Sequence, residues 1–203
     1  MPNLKLSFAT ALAAALAAGT LLAPVATRAD EAASPPGVKG EMLNMIKAAE
    51  DELVQLSDAM PENKYSWRPG KGVRSVGEVY LHVAGANYGI PSLFGVKPPE
   101  GFDIKTYEKS MTKKDDIRKA LMDSFVHMEG AFTNMSDEDM EKQADVFGTQ
   151  MTARSAYLLL LSHAHEHLGQ SIAYARMNGV VPPWTAKRQA AMKQSQEKPA
   201  AAK

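Results

Sequence analysis

Apolar residues recur at intervals of three and four along four stretches of the chain, the spacing that aligns side chains on one face of a helix. The first stretch covers residues 38–60, and Pro61 follows at once, so we expect a helix that ends there. Its apolar stripe consists of Met42, Met45, Ile46, Ala49, Leu53, Leu56 and Met60. Residues 61–72 combine helix breakers with Tyr65 and Trp67, which predicts a loop held down by its aromatic side chains.

A helix start signal precedes the second stretch. Ser75 is followed three residues later by Glu78, the pattern of a capping box in which each side chain accepts a hydrogen bond from a free backbone N–H. The helix is predicted to run towards residues 90–91. Its apolar residues are Val79, Leu81, Val83 and Ala86, and His82 lies among them.

The third stretch follows residues 96–110, which contain two prolines and no helical period and therefore predict a long loop. Thr112 and Asp115 predict another capping box at the start of a helix. The stripe of this helix is Ile117, Leu121, Phe125, Met128, Phe132 and Met135. His127 lies one position off the stripe, so we expect it at the rim. Residues 136–140 are acidic but lack the glycine and ligand order of a calcium loop, which favours a solvated turn or helix start.

The fourth stretch begins after Thr152, a predicted N-cap, and ends at Asn178-Gly179, with Pro182-Pro183 confirming the stop. The residues after Trp184 are Lys, Gln, Ala and Glu with little apolar character, so residues 186–203 predict a disordered tail, with a frayed helix as the alternative. Four amphipathic helices without a convincing strand pattern indicate an all-α bundle, which we place at residues 38–185.

Three of the five histidines fall within five residues of the fourth helix, at positions 163, 165 and 167. Residues four apart share a helix face, so His163 and His167 can direct their imidazoles at one point while His165 points away. Gln170 lies on the same stripe and is a candidate to orient a ligand or contact a substrate. Two interpretations remain open: two ligands of a metal site, or an ordinary polar helix face.

His82 decides between these interpretations. Taken alone, a histidine among apolar neighbours is more often a hydrogen-bonded core residue than a ligand. If the second and fourth helices are neighbours, however, His82 meets His163 and His167. Three imidazoles would then form an open metal site that keeps a position for water or substrate.

Composition and the N-terminal residues bear on location. The 203-residue chain has a formal net charge of zero and no cysteine, so nothing marks it for nucleic acid, and disulfides, thiolate ligands and a lipid-anchored cysteine are excluded. Residues 1–29 have a basic start, an apolar middle and a small-residue exit, the layout of a signal peptide; an uncleaved membrane anchor is the alternative. Residues 30–37 predict a flexible lead-in. We expect a periplasmic or secreted protein without a stable membrane anchor after cleavage.

Four sequence segments together resemble the DinB-like family, also called DinB/YfiT-like metalloenzymes. They are MPENKYSWRP at 60–69, SVGEVYLH at 75–82, HAHEHLGQ at 163–170 and NGVVPP at 178–183. The resemblance extends over about residues 42–184. It implies a four-helix bundle of the DinB/YfiT-like type, and it implies that His82, His163 and His167 bind a divalent metal, commonly zinc or nickel. Many members have an arginine directly after the last ligand, where this chain has Leu168, so an anion contact by that arginine is in doubt.

A divalent ion held by three neutral imidazoles can acidify bound water, as in a hydrolase, or bind and deprotonate a thiol, as in a thiol S-transferase of small molecules. The resemblance supports the S-transfer mode, because some relatives are linked to transfer from low-molecular-weight thiols. Glu166 and Gln170 are weak candidates for catalytic groups. Glu166 is turned away from His167 around the helix, so its side chain reaches only the rim of the metal site. A noncatalytic protein that binds metal or a small ligand, and a bundle whose histidines only satisfy one another, are the alternatives. Such bundles also form homodimers through an exposed helix face, although no stripe here is clearly surplus to the core.

Overall fold

The four amphipathic stretches are the four long helices of the structure, a computed structural model that describes residues 36–197. The elements are, in chain order, α1 (Val38–Ala59), α2 (Val76–Ser92), α3 (Ile104–Tyr107), α4 (Lys114–Asn134), α5 (Asp137–Glu141), β1 (Gln143–Val146), β2 (Thr149–Thr152), α6 (Ala153–Met177) and α7 (Pro183–Glu197). The predicted signal peptide at 1–29 and most of the lead-in at 30–37 lie outside the described residues, as does the end of the tail.

The long helices form a four-helix bundle, which confirms the predicted fold class. Helix α1 packs against α4 and α6, and α2 packs against the same two helices. Helices α1 and α2 therefore occupy opposite corners, as do α4 and α6. The second and fourth long helices are direct neighbours, which is the arrangement that the histidine hypothesis requires.

The core fills the space between these helices with the predicted stripes. Leu53, Phe125 and Phe132 have no exposed surface, and the ring of Phe132 stacks on Tyr157 with centroids 4.3 Å apart. Two polar residues are also buried there: the amide of Asn87 donates a hydrogen bond of 3.1 Å to the hydroxyl of Ser124. Because this bond pairs α2 with α4 inside the core, it favours one alignment of the two helices.

Two of the three predicted helix caps are present. The Ser75 and Glu78 box has both of its hydrogen bonds, and the Thr152 side chain accepts from the backbone N–H of Ser155. The box predicted at Thr112 and Asp115 is wrong. Helix α4 begins one residue later than that box requires, with Lys113 at the cap position and no side-chain bond to the free N–H groups.

A short antiparallel hairpin corrects the expectation of an entirely helical chain. Strands β1 and β2 pair from Gln143 with Thr152 to Val146 with Thr149. Phe147 and Gly148 form the turn with φ values of 54° and 86°, the left-handed pair that matches the twist of a two-residue hairpin. Each strand has only four residues, too few for alternation to stand out in the sequence.

Two segments predicted to be irregular contain helices. Within the predicted loop at 96–110, α3 begins after the N-cap residue Asp103, whose side chain accepts from the N–H of Lys105. The small surfaces of Gly85 and Gly89 let Ile104 pack closely on α2; a Cβ at Gly89 would lie 3.2 Å from Ile104.

Residues 186–197, for which we expected a disordered tail or a frayed helix, continue α7, and residues 186–196 are exposed. Trp184 near its start packs against the core. Within residues 36–197, no helix combines the length and apolar character needed to cross a bilayer.

Candidate metal centre

The structure places the three predicted ligand histidines together at the junction of α2 and α6. One ring nitrogen from each of His82, His163 and His167 lies within 4.8 Å of the others. The Nε2 atoms of His82 and His163 are 3.1 Å apart, and the ring of His167 is edge-on to both other rings, with centroids at 4.8 and 4.4 Å. Residues 81 positions apart in the chain thus present nitrogen atoms to one small volume.

The helix period and the packing of the bundle together produce this arrangement. His163 and His167 lie one turn apart on α6, and α2 brings His82 against that turn. His165 is exposed and its Nδ1 lies 2.9 Å from the carbonyl oxygen of Leu161, so it points away as the spacing predicts. His127 packs edge-on against Tyr88 on another part of the bundle, half-buried as predicted for the rim.

Gln170 fixes the orientation of His167 from one turn further along α6. Its Oε1 atom lies 2.8 Å from Nδ1 of His167 and accepts the proton of that nitrogen. This assignment leaves a lone pair on Nε2 of His167. The amide of Gln170 in turn donates to the hydroxyl of Tyr174 at 2.9 Å, and that hydroxyl donates to the carbonyl of Arg74 at 3.2 Å.

Glu108 fixes the orientation of His82, although sequence reasoning missed it. Its Oε2 atom lies 3.2 Å from Nδ1 of His82 and 2.9 Å from Nε of Arg74. A carboxylate oxygen accepts the Nδ1 proton, which leaves the Nε2 lone pair of His82 on the side of the other histidines. Glu108 and Arg74 both lie outside the long helices, so no periodic pattern in the sequence points to either residue.

Two of the three imidazoles, those of His82 and His163, are held in their neutral form. Burial lowers the pKa of His163 to about 3, and the neighbouring charges of His167, His82 and Arg74 act in the same direction. Burial also lowers the pKa of His82, followed by Arg74 and His167, while Glu108 opposes the shift. Neutral imidazole is the form that binds metal ions.

The donor set of this cluster fits a divalent ion. With the protons of His82 and His167 on Nδ1, each of these rings keeps a lone pair on Nε2, and the three rings offer one nitrogen each within 4.8 Å of the others. Half-buried His82 and His163 leave the cluster open on one side, whereas His167 is buried. Three nitrogen donors with an open side are the arrangement of catalytic sites rather than closed structural ones.

Two other residues singled out in the sequence contribute differently from the histidines. Glu166 is exposed on α6, which is consistent with a surface carboxylate. Leu168, at the position where many DinB-like proteins have arginine, is buried in the core. The positive side chain that acts on the rings of His82 and His163 is instead Arg74, from the segment before α2.

Comparison with known proteins identifies the class to which this fold and site belong. Residues 45–171 match the sequence model of the DinB superfamily, and the chain belongs to this superfamily. No curated protein matches the chain.

Solved structures share the fold at low sequence identity. A DinB-like protein from Bacillus cereus ATCC 10987 aligns over 72% of this chain and 95% of its own, with 22% identity and a TM-score of 0.62. YfiT from Bacillus subtilis, described as a probable metal-dependent hydrolase with an unusual four-helix bundle topology, aligns over 70% and 89%, with 14% identity and a TM-score of 0.57. A second B. subtilis DinB-like protein, YjoA, aligns over 70% and 93%, with 17% identity and a TM-score of 0.55.

Proposed function

We propose that this protein binds a divalent metal ion through His82, His163 and His167. The proposal is carried by the convergence of one nitrogen from each ring within 4.8 Å, on two helices that pack side by side. Neutral imidazole suits zinc, nickel, copper and iron, so the donor set selects a group of metals. Zinc and nickel are the two expected from the family resemblance, and zinc is our default.

We further propose that the protein is a metal-dependent hydrolase of small molecules. A divalent ion with three neutral ligands supplies Lewis-acid chemistry, either by polarising a substrate carbonyl or by lowering the pKa of a coordinated water or thiol. The chain's own residues orient the site: Glu108 holds the ring of His82 and Gln170 holds the ring of His167. The description of YfiT as a probable metal-dependent hydrolase supports this reaction class. Thiol S-transfer is the alternative reaction at the same site.

A noncatalytic metal- or ligand-binding protein is the second candidate, and one observation favours it. Glu108, the carboxylate in contact with the cluster, already pairs with both His82 and Arg74. Glu166, the other acidic candidate, is exposed on α6. Among the described residues, neither acidic candidate therefore offers an unpaired carboxylate at the three rings to act as a general base. Metal binding without catalysis does not require a general base.

We also propose that the protein acts outside the cytoplasm, on the basis of the signal-peptide pattern at residues 1–29. Mass measurement of the protein secreted by its host tests this proposal. Loss of residues 1–29 or 1–26 is the expected result, and an intact N-terminus would contradict it.

Metal analysis of the purified protein tests the site. The wild-type chain is expected to retain about one zinc or nickel ion after reconstitution and dialysis, whereas His82→Ala and His167→Ala are expected to retain far less, because each removes one of three donors. His165→Ala is the matched control, since His165 lies on the same helix between two ligands and bonds to a carbonyl. Unchanged metal uptake by His82→Ala would reject the site.

Turnover separates the enzyme from the binding protein. The metal-loaded protein is assayed with simple esters for hydrolysis and with thiol-reactive electrophiles plus a low-molecular-weight thiol for transfer. Activity that His167→Ala abolishes and His165→Ala retains supports an enzyme. Stoichiometric metal binding without turnover of either substrate class supports the binding protein.

A further inference from the structure

Arg74 joins the contacts that orient two of the three histidines. One chain of hydrogen bonds runs from His167 through Gln170 and Tyr174 to the backbone carbonyl of Arg74. The other contact runs from His82 to Oε2 of Glu108, and the same oxygen pairs with Nε of Arg74 at 2.9 Å. The backbone carbonyl of Arg74 therefore supports the contacts that orient His167, and its side chain supports the contact that orients His82.

The guanidinium of Arg74 keeps donors that these contacts do not use. Its ion pair with Glu108 involves Nε, and among residues 36–197 neither Nη atom makes a hydrogen bond. The side chain is 38% exposed, so the free edge reaches solvent. A guanidinium has five N–H donors in a planar fork, which matches the two oxygens of a carboxylate or phosphate.

The guanidinium of Arg74 lies beside the ring of His82. Nε of Arg74 and Nδ1 of His82 contact one and the same oxygen of Glu108, so guanidinium and imidazole are separated by a single atom. The charge of Arg74 contributes to the lowered pKa of both His82 and His163, as expected for a cation close to both rings. A metal ion at the rings would add to this positive potential, which attracts negatively charged ligands.

We infer that Arg74 forms an oxyanion-binding subsite beside the three histidines, so that the ligands of this protein carry a carboxylate or phosphate group next to the atom presented to the metal. This inference rests on the proposed function and specifies its substrate class. The guanidinium binds the oxyanion through its Nη atoms while Nε stays paired with Glu108. Glu108 then holds both the ring of His82 and the plane of the guanidinium, which fixes the direction of the fork.

Anion titration of the cobalt-substituted protein tests the subsite without relying on turnover. The visible absorption of bound Co²⁺ reports ligands that arrive at the metal, and acetate and inorganic phosphate are the probes. At cobalt concentrations that saturate each variant, Arg74→Ala is expected to weaken acetate and phosphate about tenfold or more, because it removes charge-assisted hydrogen bonds. Arg74→Lys, which keeps the charge and loses the fork, is expected to show an intermediate affinity.

Two controls separate the subsite from other effects. Arg68→Ala removes a nearby arginine that bonds to Glu78 and to the carbonyl of Val73, and it is expected to leave anion affinity unchanged. Neutral imidazole binds Co²⁺ without carrying a negative charge for the guanidinium. Its affinity is therefore expected to be the same in wild type and Arg74→Ala. The backbone carbonyl that Tyr174 uses is present in every variant.

Each outcome bears on a separate claim. Equal affinity for acetate and phosphate in wild type and Arg74→Ala would overturn the subsite while leaving the metal site intact. Absence of any cobalt spectrum would overturn the proposed function. The subsite would then be decided on metal-free protein by the phosphate-induced rise in Tm: a rise present in wild type and lost in Arg74→Ala supports it, and an equal rise in both overturns it.

Discussion

Among residues 36–197, the imidazole of His167 has one side-chain hydrogen-bond acceptor, Oε1 of Gln170 at 2.8 Å. We predict that Gln170→Ala weakens zinc binding about 10- to 100-fold, the usual cost of losing the partner that orients a ligand histidine. Competition with a chromophoric chelator measures this change. Gln55→Ala, which removes a half-buried glutamine bonded to Asp51 on α1, is the control. Equal affinities of the two variants would show that the helix alone orients the ring.

The residues of the site differ in how far the sequence could predict them. His163, His167 and Gln170 follow from the period of one helix, because spacing along a helix fixes which side chains share a face. His82 required knowledge of which helices are neighbours, and the family resemblance supplied it before the packing of α2 on α6 did. Glu108 and Arg74 lie in segments without a period, and only the folded chain brings them to the rings.

Helix caps are the part of an element that a single substitution tests most directly. Ser75 makes both bonds of its box at the start of α2, whereas Thr112 lies outside α4. We predict that Ser75→Ala lowers the free energy of unfolding by about 1 kcal/mol. Urea denaturation measures the difference. Thr112→Ala is the matched control and is expected to leave stability unchanged; a loss as large as that of Ser75→Ala would mean that α4 begins at the predicted box after all.

The hairpin turn contains a residue that is poorly suited to its backbone. Phe147 has a φ of 54°, a conformation that costs a bulky residue about 1 to 3 kcal/mol, and its side chain is 81% exposed. We predict that Phe147→Asn raises the free energy of unfolding by about 1 kcal/mol, because Asn-Gly is the preferred pair for this turn. Thermal unfolding measures the change. A lower Tm would show instead that the ring of Phe147 stabilises the surface near Leu93 and Ile104.

Length explains which elements the sequence could predict. The four long helices each contain several turns, so their stripes repeat often enough to be recognised. Helix α3 and strands β1 and β2 have four residues each, and a pattern of that length is indistinguishable from a loop. Helix α7 was expected only as the alternative to a disordered tail for a different reason: residues 186–196 are exposed, so most of the helix lacks the apolar stripe by which the others were found.

At the scale of the whole molecule, the three histidines connect two neighbouring helices of the bundle. His82 belongs to α2, whereas His163 and His167 belong to α6. An ion bound by all three would therefore link the helices in the folded state, and it would bind the unfolded chain far more weakly because the ligands are then 81 residues apart. Metal binding at this site would consequently be coupled to folding.

We therefore predict that zinc raises Tm and that a chelator reverses the effect. At a free zinc concentration roughly one hundredfold above Kd, binding to the folded state alone adds about 2.7 kcal/mol to the free energy of unfolding. His82→Ala is expected to lose most of this gain, since its remaining two histidines are one turn apart on α6 and no longer join two helices. His165→Ala is expected to keep it. A zinc-induced rise of equal size in His82→Ala would place the ion elsewhere and contradict the bridging site.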